Sequence, residues 1–490
     1  PARVSPALLL GMLLPMADPQ HNPPDRPGQP PYAARQAALA VLADLREDRR
    51  TSRESLESLI EGGRLPPGER GLAAELVLGV VRHRLTLARL LGGLAAHGWQ
   101  RINHRLQHIL QLGAYQLIWL DGIPPFAAVA EAVDQAKAEG GVRAGRFVNA
   151  VLRQLQREIE QRRVPISQSD SRRAIPVDAD QCCQFSREVL PDPGEQPVDY
   201  WAAATSHPDW LVARWVTAFG LTTARQICLA GICRPTTVLR PNPLRTNATD
   251  LAARMSEEGV KVQLHAEEDV VTVDPGVPLA RTKAFAEGLF QAQDRTAMAV
   301  VRAMDPQPGQ VVLDLCAGPG TKTTQLAELM RDTGLILASD KDAQRLAQVS
   351  ENSGRLGLTC VRTAMPTEIE QAVRGMDRLD WILVDAPCGN TGVLARRPEA
   401  RYRVSRRGLE DLSRLQLDLL SRAHRLAGPQ TRIMYSTCSL ELEEDEHVVE
   451  RFLARHDAWK LIDSRRTFPD PGLQPGSWHD GGYWAHLARL

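Results

Sequence analysis

The 490-residue chain lacks an excess of either charge: Lys plus Arg and Asp plus Glu each number 59. No global basic field marks it for nucleic acid, so any such partner has to meet a local patch. It lacks a long apolar run, since none approaches the roughly 20 residues that span a bilayer. It lacks cysteine pairs with zinc spacing. The eight cysteines stand at 182, 183, 228, 233, 316, 360, 388 and 438, with no CxxC answered by a downstream Cys or His. A disulfide framework is not expected in a chain this long, which reads as a reducing, cytoplasmic compartment. There is no GxxxxGK[ST] loop for a nucleoside triphosphate and no internal repeat. Hydrophobic residues at 43% and charged residues at 24% exclude a wholly disordered or collagen-like chain. The length implies about three domains.

What is present divides the chain. Ala7–Leu14 is a short apolar run behind Arg3 without a clean cleavage site. With Pro1 in place of Met, it reads as an upstream extension or mis-set start rather than an export signal. Residues 1–32, Pro-rich from Pro15 to Pro31, read as a disordered leader. From Ala33 the apolar residues recur at helical spacing, as in Ala37, Ala38, Val41, Leu42 and Leu45. Helical stretches follow to Arg163, broken at Gly62-Gly63, Pro66-Pro67, Pro124-Pro125 and Gly140-Gly141. No strand-period segment interrupts them, so 33–163 is expected as an all-α bundle. It carries 19 basic against 14 acidic residues. Residues 164–198, polar with Pro, Asp, Gln and Ser, read as a linker or insertion. Residues 199–287 read as a small α+β subdomain, with short strands at Thr237–Arg240, Lys261–Leu264 and Val270–Val273. From 288 to 490 apolar strands alternate with helices: Val311–Leu315, Leu335–Asp340, Leu358–Val361, Trp381–Asp385 and Arg432–Thr437. That alternation predicts a parallel sheet covered on both faces, an α/β Rossmann-like domain.

Two sites stand out in this last domain. The first strand runs into Cys316, Ala317, Gly318, Pro319, Gly320, Thr321 and Lys322, then a helix. Gly318 and Gly320 permit a tight turn that a ligand can approach closely, and Asp340 ends the next strand. An acid at that place holds ribose hydroxyls in dinucleotide-type folds, and methyltransferases that use S-adenosylmethionine share the geometry. The second site is a pair of cysteines at neighbouring strand ends, Cys388 after Asp385-Ala386-Pro387 and Cys438 after Ser436-Thr437. A single strand-end cysteine is usually a small buried hydrophobe. Two on adjacent tips, facing the cofactor edge, point to chemistry. Carbon 5 of cytosine is a poor nucleophile until a thiolate adds to carbon 6. The carbon-5 proton must then leave to a base, and a carboxyl group near ring nitrogen N3, for which Asp385 is placed, stabilises the adduct. Spacing alone does not say which cysteine attacks.

The motifs CAGPGTK at Cys316–Lys322, DAPCGNTG at Asp385–Gly392 and YSTCS at Tyr435–Ser439 resemble the bacterial 16S ribosomal RNA cytosine-5 methyltransferases. FQAQD from Phe290, RRPE from Arg396 and DGGYWAHLAR from Asp480 fit the same family. LGAY from Leu112, IPPFAAVAEAV from Ile123 and FVNAVLR from Phe147 resemble the domain shared with NusB-type antitermination factors. The resemblance implies a NusB-like RNA-binding bundle, RNA binding by the 199–287 subdomain, and S-adenosylmethionine held by Cys316–Lys322, Asp340 and Asp385. It implies Cys438 as the nucleophile, Cys388 as the aid to product release and Asp385 as the contact to the base. The implied partner is 16S ribosomal RNA, unassembled or partly assembled, met by a monomer without membrane or metal. There are departures. Gly389-Asn390 replace a Ser-Gly or Ser-Ala, and Thr321 replaces a glycine. Val361–Met365 offers no acid for the adenine, the nearest being Glu368, so the adenine contact is expected from backbone or Thr363 instead.

Arg396, Arg397, Arg401 and Arg403, with Arg406, Arg407 and an interleaved Tyr402, form a dense basic segment expected to contact RNA phosphates. Two other functions compete. An N- or O-methyltransferase needs no thiol, but its Asn/Asp-Pro-Pro-Tyr/Phe tetrapeptide is replaced by Asp385–Cys388. A non-catalytic RNA-binding or assembly factor is suggested by the bundle and the missing adenine acid, and would bind no S-adenosylmethionine.

Overall fold

The computed structural model describes residues 33–45, 51–95, 98–474 and 476–489. Ala7–Leu14 and the Pro-rich leader lie outside the described residues. The chain divides into two compact units. One holds the described residues up to Arg234 with Leu394–Tyr402; the other holds Pro235–Val393 and Arg403–Leu490.

The first unit is led by helices Ala34–Asp44, Ser52–Glu61, Arg70–Arg82, Arg84–Gly92, His104–Trp119 and Pro125–Glu158. Their starts follow local chemistry. Thr51 caps the second helix, its hydroxyl accepting the Glu54 N–H at 3.2 Å while Glu54 Oε2 accepts the Thr51 N–H at 2.7 Å. Gly140 and Gly141 interrupt the last helix with non-helical angles, at the expected break. Leu76, Val77, Ile109, Ile118 and Leu152 fill the core.

The expected linker at 164–198 is instead folded. Strands β1 (Ile159–Pro165), β2 (Ala174–Pro176) and β3 (Gln181–Phe185) form an antiparallel sheet in the order β1-β3-β2. Ile175, Cys183 and Phe185 are fully buried in the same core as the helices. Strands this short, set among polar turns, carry too little period to show in sequence. Helices Pro197–Thr205 and Asp209–Ile232 complete the unit, so the expected boundary at 198/199 falls inside it.

The second unit opens with β4 (Thr237–Pro241), β5 (Val262–His265), β6 (Val270–Val273) and β7 (Phe290–Ala292), an antiparallel sheet in the order β5-β6-β4-β7. Leu251 and Met255 of helix Ala248–Glu257 pack on it with Val271, Phe285 and Phe290. Next come β8 (Val311–Asp314), β9 (Leu335–Ser339), β10 (Val361–Ala364), β11 (Trp381–Asp385), β12 (Arg432–Thr437), β13 (Trp459–Thr467) and β14 (Gly482–Arg489). Their order is β10-β9-β8-β11-β12-β14-β13, parallel through β12 and antiparallel at β14 and β13. Both faces are buried. Leu313, Ile382 and Ile433 enter one core, while Val312, Trp381 and Met434 enter another.

The third parallel strand lies at Val361–Ala364, not Leu358–Val361. Asp332 takes the N–H groups of Thr359 (2.8 Å) and Cys360 (2.9 Å), so those residues lead into the strand. The chain winds outward from β8 to β10, then returns to β11 on the other side of β8. Ligands of open α/β sheets bind at such a reversal, beyond the carboxyl ends of the strands.

Candidate active site

The tip of β8 and the helix Thr321–Leu329 enclose the glycine-rich turn. Gly320 adopts φ +100°, and a Cβ there would press on Val349 Cα at 3.1 Å. A Cβ at Gly318 would meet Arg345 Cβ at 2.6 Å and Asp340 Oδ2 at 2.7 Å. The turn is therefore packed down on the β9 tip. Gly318 N–H donates to Asp340 Oδ2 at 3.0 Å and Asp342 N–H to Asp340 Oδ1 at 3.0 Å, with Arg345 Nη1 3.5 Å from Oδ2. Asp340 thus braces the loop. At the same tip the buried Ser339 hydroxyl has no partner among the described residues. Asp314 is buried beneath the turn and accepts the Thr323 hydroxyl at 2.8 Å; burial pushes its carboxyl up to about 7. Burial, then the carboxylates of Asp314, Asp340 and Asp385, push the Cys316 thiol up.

Register brings the second group together. Asp385 at the end of β11 pairs with Ser436 of β12, whose hydroxyl donates to Asp385 Oδ1 at 2.8 Å. Lys322 Nζ lies 2.7 Å from Asp385 Oδ2 and joins the two groups. Burial pulls the ammonium down, but Asp385 outweighs it and leaves Lys322 above the ordinary lysine value.

Just beyond the same strand tips, Cys388 Sγ and Cys438 Sγ are 3.1 Å apart. The hydrogen bond to Cys438, then burial, push the Cys388 thiol well above its ordinary value. Cys438 also donates to Asn390 Oδ1 at 3.3 Å. The Cys388 loop hangs on Glu444, whose Oε1 accepts the N–H of Gly389 at 2.8 Å and of Gln416 Nε2 at 3.1 Å; Gln416 also reaches Pro387 O at 2.8 Å. Glu444 is fully buried, and burial pushes it up to about 7.

The structure thus brings together Cys388, Cys438, Asp385 and Lys322, with the glycine turn beside them. Sequence reasoning missed Glu444 and gave no role to Asn390, Ser436 and Gln416, although Leu415-Gln416 fits the family. The acidic run Glu443–Glu446, beginning five positions after the second cysteine, was the one visible signal for Glu444. Glu368 accepts the Met365 N–H at 2.7 Å and caps its helix, while Thr363 is exposed and 3.3 Å from the Ser350 hydroxyl.

The basic segment separates by exposure. Arg403 is exposed, and Arg396 and Arg397 are half-buried. Arg401 departs from the expected phosphate contact: it is 0% exposed. Its guanidinium donates to the carbonyls of Gly231 (2.6 Å), Thr205 (3.1 Å), Pro398 (3.1 Å) and Leu394 (3.3 Å), so its charge is directed at backbone rather than solvent.

Three family models match the chain: 16S rRNA methyltransferase RsmB/F over 301–477, the NusB family over 32–157, and the RsmF/B-like ferredoxin-like domain over 207–280. A Bacillus subtilis protein named "Probable ribosomal RNA small subunit methyltransferase B" is 32% identical over 426 residues, covering 86% of this chain and 89% of that one. An Escherichia coli ribosomal RNA small subunit methyltransferase B is 29% identical over 452 residues, covering 89% and 97%. The crystal structure of PH0851 matches the fold with a TM-score of 0.69 at 22% identity, covering 93% of this chain and 98% of that one.

Proposed function

The chain belongs to the family of 16S rRNA methyltransferases RsmB/F, and from that premise we propose that it methylates carbon 5 of a cytosine through a covalent adduct on Cys438. One observation carries the reading: two thiols 3.1 Å apart beyond adjacent strand tips, beside a Lys–Asp pair. N- or O-methylation has no use for them.

S-adenosylmethionine is the cofactor, and the residues fit it. The turn Cys316–Lys322 is packed down on the β9 tip through Gly318 and Gly320, the close backbone approach that such a turn needs to take a nucleoside. Asp340 spends two lone-pair sites on N–H groups and keeps others, and the partnerless Ser339 hydroxyl lies at the same tip. When bound, the cofactor supplies a methyl group on a sulfonium, an electrophile that carbon 5 takes up.

The protein's own groups divide the remaining work. Cys438 adds as thiolate to carbon 6, forming the S–C bond and moving electron density to carbon 5. Cys388, held as a thiol, donates toward Cys438 and lowers the cost of negative charge there. Asp385, fixed by Ser436 and Lys322, contacts the cytosine ring. After carbon 5 is methylated its proton leaves to a base, the carbon 5–carbon 6 double bond re-forms, and the S–C bond breaks; Cys388 aids that release. Arg396, Arg397 and Arg403 contact RNA phosphates, and the substrate base is presented unpaired. Since ribosomal RNA is the substrate, the protein works in the cytoplasm.

Ribosomal RNA carrying 5-fluorocytosine tests the reading, because fluorine cannot leave as the proton does. A denaturant-stable complex mapped to Cys438 is expected, and none with Cys438→Ala. Full methylation by Cys438→Ala would sink it.

A further inference from the structure

Asn390 places a third polar group on the cysteine pair. It stands in the loop just after Cys388 with φ +60°, a left-handed conformation that Asn tolerates better than most residues. Its carboxamide has a fixed orientation. Nδ2 donates to Cys388 O at 2.8 Å, and only the NH2 end of an amide can do so. The oxygen end therefore faces Cys438, whose S–H donates to Oδ1 at 3.3 Å. A carbonyl oxygen accepts from a thiol but repels a thiolate, so this contact favours the protonated nucleophile.

We propose that Asn390 is a positioning residue for Cys438: it holds the thiol's hydrogen and aims the sulfur until the cytosine enters. The proposal rests on the reading of Cys438 as nucleophile. The Cys388 thiol and the Lys322 ammonium also face Cys438, with Asp385 paired to Lys322 and Glu444 acting on Cys388. Lys322 and the Cys388 thiol favour the thiolate and Asn390 opposes it, so resting reactivity depends on Asn390 as well as on its neighbours. A pyrimidine that draws Cys438 away from Oδ1 removes the restraint at the moment of attack.

Two substitutions give opposite signs. Asn390→Gly keeps the left-handed backbone and deletes the acceptor. Asn390→Asp keeps an acceptor and adds negative charge. The readout is the rate of iodoacetamide alkylation at Cys438 in the intact protein, followed by peptide mass spectrometry from about pH 6 to 9 around the ordinary thiol range. At neutral pH, Asn390→Gly is expected to alkylate about three- to tenfold faster than the parent, the size of one lost hydrogen bond. Asn390→Asp is expected to alkylate more slowly. Mere loosening of the loop would speed both. In the 5-fluorocytosine trap, Asn390→Gly should form its adduct more slowly despite its more reactive thiol, because the sulfur is no longer aimed. Profiles that superimpose on the parent, or that move the same way in both variants, overturn the proposal. A parent enzyme that forms no adduct at Cys438 overturns the nucleophile reading and the positioning role with it, and the trap shows this separately from alkylation.

Discussion

Cys388 Sγ approaches Cys438 Sγ to 3.1 Å, and both side chains are partly exposed. Two thiols this close, on loops already facing each other, need little backbone movement to be joined. A disulfide oxidant such as oxidised glutathione is expected to convert the pair to a disulfide, releasing two equivalents of reduced glutathione. Methylation activity should be lost and should return on reduction. Cys182, Cys183, Cys228 and Cys233 are buried and should stay reduced. Mass spectrometry of the oxidised enzyme checks this; inactivation without a Cys388–Cys438 cross-link would contradict it.

Lys322 is paired with Asp385 and interacts electrostatically with Cys438, so its charge acts on both. Lys322→Met removes the cation that favours the Cys438 thiolate. The rising limb of the pH–rate profile for methylation should move up by about one unit. At neutral pH that is a loss of about tenfold. Lys322→Arg should restore the limb in part. A limb that stays in place in Lys322→Met would remove Lys322 from thiol activation.

Those two relationships were legible to different degrees. The cysteines and Asp385 could be placed because β11 and β12 each carry a continuous apolar stretch, Trp381–Val384 and Ile433–Tyr435, that the sequence closes with polar residues. The glycine turn was visible for the same reason. Asn390 and Glu444 were not, because their role comes from the loops folding back on each other, which no local period records. The closing strand β13 was hidden by Lys460, Asp463, Arg465 and Arg466, the charges of an edge strand mostly open to solvent. The sheet β1–β3 was hidden by its short strands, though its inward residues share the core of the bundle.

Glu444 gives a stability test with a definite sign. Burial raises its carboxyl from 4.5 to about 7, so between those values the folded state holds a proton that the unfolded chain has released. Folding stability contributed by this group therefore falls as pH rises through that window and is level above it. Glu444→Gln cannot ionise. Its melting temperature should fall less steeply than the parent's across the window, with a difference of about 2–4 °C. Asp314 and Glu57, also raised by burial to about 7, leave part of the slope in the variant. Parallel melting curves in calorimetry would show that Glu444 is not a source of it.

The six arginines after Cys388 look alike in sequence, yet they separate by what surrounds them. Arg401 is buried with four backbone carbonyls within 3.3 Å, and burial lowers its guanidinium to about 10. Arg401→Met leaves those carbonyls without their donor in a place water does not reach. It should cost about 3 kcal/mol or more in urea denaturation. Arg403 is exposed, and Arg403→Ala should stay within about 0.5 kcal/mol of the parent. If Arg403 contacts a phosphate, the same change weakens binding to ribosomal RNA and lowers the slope of log affinity against log salt by about one. The two variants thus exchange signatures, one losing stability and the other salt-dependent affinity. A stable Arg401→Met with an altered salt slope would return Arg401 to the RNA surface.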